Sequence, residues 1–374
     1  MPREHGQSTT EVRSGYQLDP TKLEPYLADH IPGLARPIKV SQFKLGQSNP
    51  TYLLTDAKGT KYVLRKKPSG ALLSSTAHAV EREYRILKAL GEKSDVPVPK
   101  VYTLCEDISL IGTPFYVMEF LQGRIFSDIR LLKLPFEERR QCWLSAVDTL
   151  AKLHKVNYIE VGLEGYGRPT GFYPRQISSL TKVAAAQATA KGKDGQVVGP
   201  VPDIDKMTAW FKKNEIADAT TIVHGDYKID NLVFHPTEPR VIGILDWELS
   251  TIGHPLSDLA NLVNLFYVPA TDATAALGGL RGVPEKELPI PPVSVLLERY
   301  CQQTLQPFPI PNWMFCIAFS FFRLSVILHG IKARVARGQA SSAEAKVYAA
   351  LLEPTAGFVV EIVDEFSKKD TARL

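Results

Sequence analysis

One polar run constrains this chain more than any other feature: His224-Gly225-Asp226-Tyr227-Lys228-Ile229-Asp230-Asn231, followed by Ile244-Leu245-Asp246-Trp247-Glu248. An H-x-D-x-x-x-x-N loop sets its aspartate and asparagine on one tight turn. A second aspartate, at the end of the next short strand, can then close toward them. Phosphoryl transfer asks for such a set: a carboxylate that orients and deprotonates the attacking hydroxyl, and oxygen ligands for the magnesium that neutralises nucleotide phosphates. Each residue alone reads as a turn or a strand-end cap. All three in this order, with Asp226 and Asn231 at the Asp-to-Asn gap of a catalytic loop and Asp246 a hairpin later, point to a phosphoryl-transfer site.

The flanking pattern suits that reading. IKVSQFKL, TYLLTD and KYVLRKK alternate as strands, and Asp56-Ala57-Lys58-Gly59 forms the turn between the last two. Residues 75–90 carry Val80, Tyr84, Leu87 and Leu90 at helical spacing. PVPKVYTLCED and PFYVMEFLQG follow as two more strands. Beyond Gly123 helical patterns dominate, beginning with residues 136–156, and the exception is a hairpin formed by NLVF and VIGILD. Residues 161–171 and 191–203 are glycine-rich loops. The predicted fold class is α+β and two-lobed, with a small β-rich N-lobe and a larger, mostly helical C-lobe. Its parts are a flexible arm at 1–20, a small lobe at 21–118, a hinge at 119–123, a catalytic and substrate lobe at 124–365, and a polar, extended tail at 366–374.

With the motif HGD-x-x-x-x-N and the later D-W-x, the chain resembles the aminoglycoside-phosphotransferase and choline-kinase branch of the protein-kinase-like fold, from about residue 36 to 360. The resemblance implies an ATP- and Mg2+-dependent kinase acting on a hydroxyl group, with Asp226 as base and Asn231 and Asp246 as magnesium ligands. Lys228 then stands where many protein kinases steady the transferred phosphate, against the plain alternative of a solvated lysine. Asp258, in GHPLSDLAN, matches an aspartate that braces the catalytic loop, against the alternative of a helix N-cap. Arg65 takes the place of the phosphate-binding lysine of the third strand, and Glu83 that of its helix partner. Arginine departs from the usual lysine, although a guanidinium still binds phosphate oxygens in pairs. Lys66 or Lys67 could share the task, but strand alternation turns Lys66 away. With no G-x-G-x-x-G, the segment Gly46-Gln47-Ser48-Asn49 must cover the phosphates. Glu119 and Leu121 of the hinge would offer a carbonyl and an amide to adenine.

Other segments narrow the resemblance. VLRKKPSGALLSSTAHAVEREYRILKAL, GFYPRQISSL and AFSFFRLSVILHGIKARVARGQASS are similar to the amino-terminal kinase-like domain of the long two-part acyl-CoA dehydrogenase family members. This implies an anionic substrate, a hydroxy acid or hydroxyacyl-CoA. If a helix continues past Gly330, Arg323, Arg334 and Arg337 fall within about 60° of one another at roughly 100° per residue. They then make a basic stripe, either a substrate dock or a solvated face. Arg175 either contacts substrate or caps a loop. His154, on an apolar helix, reads as a satisfied core histidine, and Trp313 with Phe315 as core. The alternatives are an antibiotic-type phosphotransferase, which would want an acidic pocket for cationic drugs, and a nucleotide-binding pseudokinase, which would have lost a base or metal ligand.

Composition excludes several other classes. Among 374 residues, a net charge of +4 is too small and dispersed for a nucleic-acid partner. Cys105, Cys142, Cys301 and Cys316 form no C-x-x-C pair, so neither a disulfide framework nor a zinc site is expected. The apolar stretch at 313–331 is broken by Arg323 and His329 and reads as a buried helix rather than a membrane span. No secretory signal is read at the N-terminus. The ending Ala372-Arg373-Leu374 fits the small–basic–Leu class of peroxisomal addresses, with a cytoplasmic location as the alternative.

Overall fold

The computed structural model describes residues 9–12, 17–43, 49–68, 79–193, 195–339 and 344–371, the side chains of 368–371 apart. Its contacts group into two compact units: residues 1–165 with 224–250, and residues 166–223 with 251–374. The unit that holds the sheet also takes residues 124–165 and the catalytic hairpin, which the sequence reading assigns to the second lobe.

In the first unit, six antiparallel strands stand in the order β1-β2-β3-β4-β6-β5. They are β1 (Thr9–Thr10), β2 (Lys39–Phe43), β3 (Thr51–Thr55), β4 (Lys61–Lys66), β5 (Val101–Cys105) and β6 (Phe115–Glu119). Helix α1 (Pro20–His30) opens on a local signal: the Asp19 carboxylate accepts the Thr21 amide at 3.0 Å, with proline in the first turn. Leu23 and Leu27, one turn apart, pack on Tyr52, Leu54, Leu64 and Val117. Strand alternation then decides the opposite face. Phe115 and Val117 of β6 join the α1 core, whereas Tyr116 and Met118 turn toward a pocket, as do Val63 and Arg65 of β4.

Helix α2 (Val80–Lys93) buries Glu83, Ile86, Leu87 and Leu90 at helical spacing and packs on β5, β6 and the turn at Trp247–Leu249. The expected start at residue 75 falls on residues that are not described. Residues 69–78 lie outside the described set, and so does the expected phosphate-loop segment Gly46-Gln47-Ser48. After α3 (Ile108–Ile111) and β6 comes α4 (Phe136–Lys155), which packs on the second strand of a hairpin formed by Leu232–Phe234 and Val241–Ile244.

The second unit is mainly helical: α5 (Phe172–Ala188), α6 (Ile204–Lys213), α7 (Leu256–Val263), α8 (Val293–Thr304), α9 (Trp313–Ala336), α10 (Ala345–Ala350) and α11 (Leu352–Thr371), with a two-stranded ribbon of Thr221–Val223 and Thr251–Gly253. By length and composition α9 could cross a membrane, but 72% of its most apolar window is buried against protein. It packs on α5, α7, α10 and α11, which explains a helix that is apolar almost all round.

The ends of the chain depart from expectation. Thr9 and Thr10 of the predicted arm pair with Phe43 and Gln42 as an edge strand. Strand pairing uses backbone groups and asks for no apolar pattern. The tail expected to be extended from residue 366 is helical through Thr371, since backbone hydrogen bonds carry a helix past its last buried turn. Residues 372–374 lie outside the described set.

Candidate active site

The His224–Asn231 loop is built around Gly225. Its φ of +86° suits glycine, and a Cβ there would lie 2.5 Å from the Leu249 carbonyl oxygen. Buried His224 then locks the loop. Its Nδ1 accepts the Asp226 amide at 3.1 Å, so Nε2 carries the hydrogen and donates to the Leu245 carbonyl at 2.8 Å. The Leu245 amide donates to the Asn231 carbonyl at 2.9 Å. The loop bearing Asp226 and the strand end bearing Asp246 are therefore stitched together from both sides. Asp246 itself sits in the left-handed region, at φ 65° and ψ 62°, a conformation that aspartate adopts uncommonly and that marks functional positions.

Asn231 spends its amide nitrogen on Asp226, donating to the backbone carbonyl at 2.9 Å and to Oδ2 at 3.0 Å. Its side-chain oxygen remains as an acceptor. Lys228 Nζ lies 3.5 Å from the same Asp226 Oδ2 and 3.2 Å from Asp230 Oδ2. Burial would depress its pKa, but the two carboxylates outweigh that and raise it. With Oδ2 accepting from Asn231, Oδ1 is the atom of Asp226 left to take a proton.

A second group of charges meets at Arg65. Its Nε is 3.0 Å from Glu83 Oε2, a charge contact not aligned as a hydrogen bond. Its Nη2 donates to Asp246 Oδ1 at 3.0 Å and to Glu248 Oε2 at 3.1 Å. Burial alone would lower the guanidinium's pKa, and Glu83, followed by Tyr116, Asp246 and Glu248, drives it up instead. Arg65 stays a cation. Glu83 also accepts from Tyr116 Oη at 3.0 Å and from Asn49 Nδ2 at 2.8 Å. The buried Asn49 side chain therefore braces Glu83 and is not displayed on a phosphate-covering loop. Lys66 is buried on the α1 face and donates to the Ile111 carbonyl, and Lys67 pairs with Glu81 at 2.6 Å. Neither stands in for Arg65.

These residues border a pocket of about 360 Å³. Asp230, Asn231, Asp246 and Arg65 line it together with Val63, Leu87, Met118, Phe120, Val233 and Ile244. Glu119 and Leu121, the predicted adenine contacts, line it too. An apolar slot with charge gathered at one part is the ordinary build of a nucleotide or cofactor pocket.

The remaining sequence-predicted residues belong to the second unit or to α4. Arg175 Nη2 donates to the Arg168 carbonyl at 3.0 Å, so Arg175 caps a loop. Arg323, Arg334 and Arg337 share one helical run, since α9 continues past Gly330 and Arg337 forms its C-cap. Arg323 is half-buried, and Arg334 and Arg337 are exposed. Asp258 is buried in the first turn of α7, where Pro255 holds the cap position, so it is not an N-cap. His154 is half-buried in the last turn of α4. Trp313 donates to Tyr267 Oη, and Phe315 packs among Tyr173, Trp210 and Phe211. All four cysteines are buried free thiols.

Sequence reasoning missed Glu248, Asp230 and Tyr116. The first two lie within the quoted runs and are visible there as ionisable residues. The third was hidden, because only strand register sets Tyr116 beside Arg65.

A family model described as "Phosphotransferase enzyme family" matches residues 39–285, and the chain belongs to that family. A crystal structure from Ralstonia eutropha, of a "putative aminoglycoside phosphotransferase", is 39% identical with a TM-score of 0.81, covering 93% of this chain and 99% of that one. The ternary complex of streptomycin, ATP and APH(2")-IIa has a TM-score of 0.57 at 15% identity, covering 87% and 96%, which is a likeness of fold. Among curated proteins, "Probable acyl-CoA dehydrogenase IBR3" of Arabidopsis thaliana is 42% identical over 91% of this chain and 42% of its own length. Acyl-CoA dehydrogenase family member 11 of Rattus norvegicus is 40% identical over 93% and 44%. The chain thus spans less than half the length of these curated relatives.

Proposed function

We propose that this phosphotransferase moves the γ-phosphoryl group of ATP to a hydroxyl of a hydroxy acid or hydroxyacyl-CoA. The observation that carries this reading is the constellation of Asp226, Asn231 and Asp246, cross-linked through His224 and Leu245 at the edge of an apolar pocket. Asp226 Oδ1 would accept the hydroxyl proton. Lys228 would lie against the transferred phosphoryl group, and Arg65, positioned by Glu83, would meet the nucleotide phosphates. Glu119 and Leu121 would give backbone contacts to adenine in the slot lined by Val63 and Met118.

Magnesium fits the donor set. One carboxylate and one amide oxygen, completed by nucleotide phosphates and water, is how Mg2+ is usually held, rather than in an all-protein cage. Asp246 Oδ1, now on Arg65, and Asn231 Oδ1 would be its ligands, and the ion when bound neutralises phosphate charge. For the acceptor, the exposed guanidinium groups of Arg334 and Arg337 favour an anion. The acyl-CoA dehydrogenase names of the long relatives suggest an acyl compound.

The test is ADP release by purified protein with ATP and magnesium against hydroxy acids, their CoA esters, aminoglycosides and choline. Turnover of hydroxyacyl compounds is expected, lost on chelation and reduced about 10²–10⁴-fold in Asp226→Asn, the usual contribution of a general base. Turnover of aminoglycosides alone would overturn the acceptor. An Asp226→Asn enzyme at full rate would overturn the base.

A further inference from the structure

We propose that Asp230 is a positioning residue of the transfer site, holding the Lys228 ammonium between two carboxylates rather than letting it close on Asp226. The proposal rests on the phosphotransferase reading above.

The distances carry it. A tight ammonium–carboxylate contact is about 2.7–2.9 Å. Lys228 Nζ makes neither contact at that length, standing 3.2 Å from Asp230 Oδ2 and 3.5 Å from Asp226 Oδ2. The ammonium is shared, nearer Asp230. Both side chains are partly exposed, Lys228 at 39% and Asp230 at 35%.

Among the described residues, Lys228 is the cation that Asp230 meets. Asp230 lies on the one-turn helix Ile229–Asn231, and its Oδ1 is closed off from water with no hydrogen-bond partner among the described residues. A buried polar atom left unmatched is unfavourable and calls for an explanation. Lys228, on the neighbouring Oδ2, offsets the charge of this carboxylate while Oδ1 stays unmatched.

The consequence is mechanistic. Asp226 Oδ2 already receives Asn231, and a lysine drawn fully onto it would tie up the carboxylate and withdraw the cation from the phosphoryl position. Asp230 supplies a counter-pull. The effect should therefore fall on the transfer step and not on nucleotide capture.

The experiment is a double-mutant cycle of Asp230→Asn and Lys228→Met, with Asp230→Glu as the conservative variant. Phosphoryl transfer from MgATP to 3-hydroxybutyryl-CoA and to water is followed as ADP release, with thermal melts as a folding control. Asp230→Asn should lower kcat by about 10- to 100-fold, as displacement of a catalytic group by an ångström does. KM for MgATP should hold within about twofold, the scatter seen for independent sites. The double variant should be no slower than Lys228→Met, and Asp230→Glu should recover part of the rate. Multiplicative losses in the double variant, a raised KM for MgATP at unchanged kcat, or a wild-type rate in Asp230→Asn would each overturn the proposal. A wild-type protein that releases no ADP with either acceptor removes the functional reading and the proposal with it. An active wild type with an uncoupled pair removes the proposal alone.

Discussion

Arg65 and Asp246 are joined by a 3.0 Å ion pair across 181 residues of sequence. One guanidinium nitrogen serves Asp246 and Glu248 together, while the Nε faces Glu83. The arginine that departs from the family's usual lysine thus holds three carboxylates where a lysine's single ammonium would have to choose among them.

Replacing Arg65 should therefore have two separable effects. Arg65→Ala leaves Glu83, 2% exposed, as a buried charge without its cation, and should destabilise the fold by about 3–5 kcal/mol. Arg65→Lys should keep most of the stability through Glu83 yet release Glu248. Urea unfolding of both variants, alongside KM for MgATP, checks this. Equal stability of Arg65→Ala and wild type would show that the pair is not what holds Glu83.

Gly225→Ala should be poorly tolerated although it adds only a methyl group. The left-handed φ and the 2.5 Å approach to the Leu249 carbonyl force the loop to move. Ala at positive φ costs more than the roughly 0.4–1 kcal/mol that such substitutions gain elsewhere, and a shift of about 1 Å at Asp226 lowers kcat about 100-fold. Thermal melts and steady-state rates measure the two effects, and a variant with normal kcat would mean the loop relaxes without moving Asp226.

A pH effect on stability should come from His329, in the second unit. Its Nε2 donates to the Gly199 carbonyl at 2.8 Å, and its buried Nδ1 has no partner among the described residues. Burial lowers its pKa below the ordinary value of 6.5. The neutral ring is the folded form, so its contribution is complete above about pH 6.5 and is lost as pH falls through the depressed folded value, by at most about 1.4 kcal/mol per pH unit. His329→Gln keeps an amide N–H for Gly199 and removes the titration. The wild-type Tm should fall more steeply than the variant's between pH 6.5 and 5. Parallel curves would assign the acid lability to other groups.

Charge reversal at Arg334 and Arg337 separates acceptor binding from folding. Both are exposed, so stability should change by no more than about 0.5 kcal/mol. With a hydroxyacyl-CoA as acceptor, its KM should rise far more than that of MgATP. An unchanged acceptor KM would return these arginines to an ordinary solvated surface.

The legible part of this protein was the part encoded over short distances. The strands β2 to β6, the helix bearing Glu83 and the hairpin carrying Asp246 follow from alternation and helical spacing over a few residues each. Other local signals were present and passed over: Asp19-Pro20 marks the start of α1 as a cap and a first-turn proline. The edge strand at Thr9 and Thr10 has no such signal, because only the exposed backbone of β2 calls it into being. Asn49 was read as a phosphate-loop residue from its position beside Gly46, but the Glu83 carboxylate 34 residues away takes its amide.

Residue order alone determined the chemistry on offer: a base, two oxygen ligands and a lysine within one loop and one strand end. The Asp226-to-Asn231 gap is short enough for a single turn to set their distance. Tertiary structure decided the partners. Whether Glu248 is a solvated carboxylate or a ligand of Arg65, and whether Lys228 leans on Asp226 or Asp230, depends on separations of an ångström or less between groups brought in from different strands and loops. Coulombic and hydrogen-bond energies vary steeply over that range, and sequence spacing carries no information on that scale.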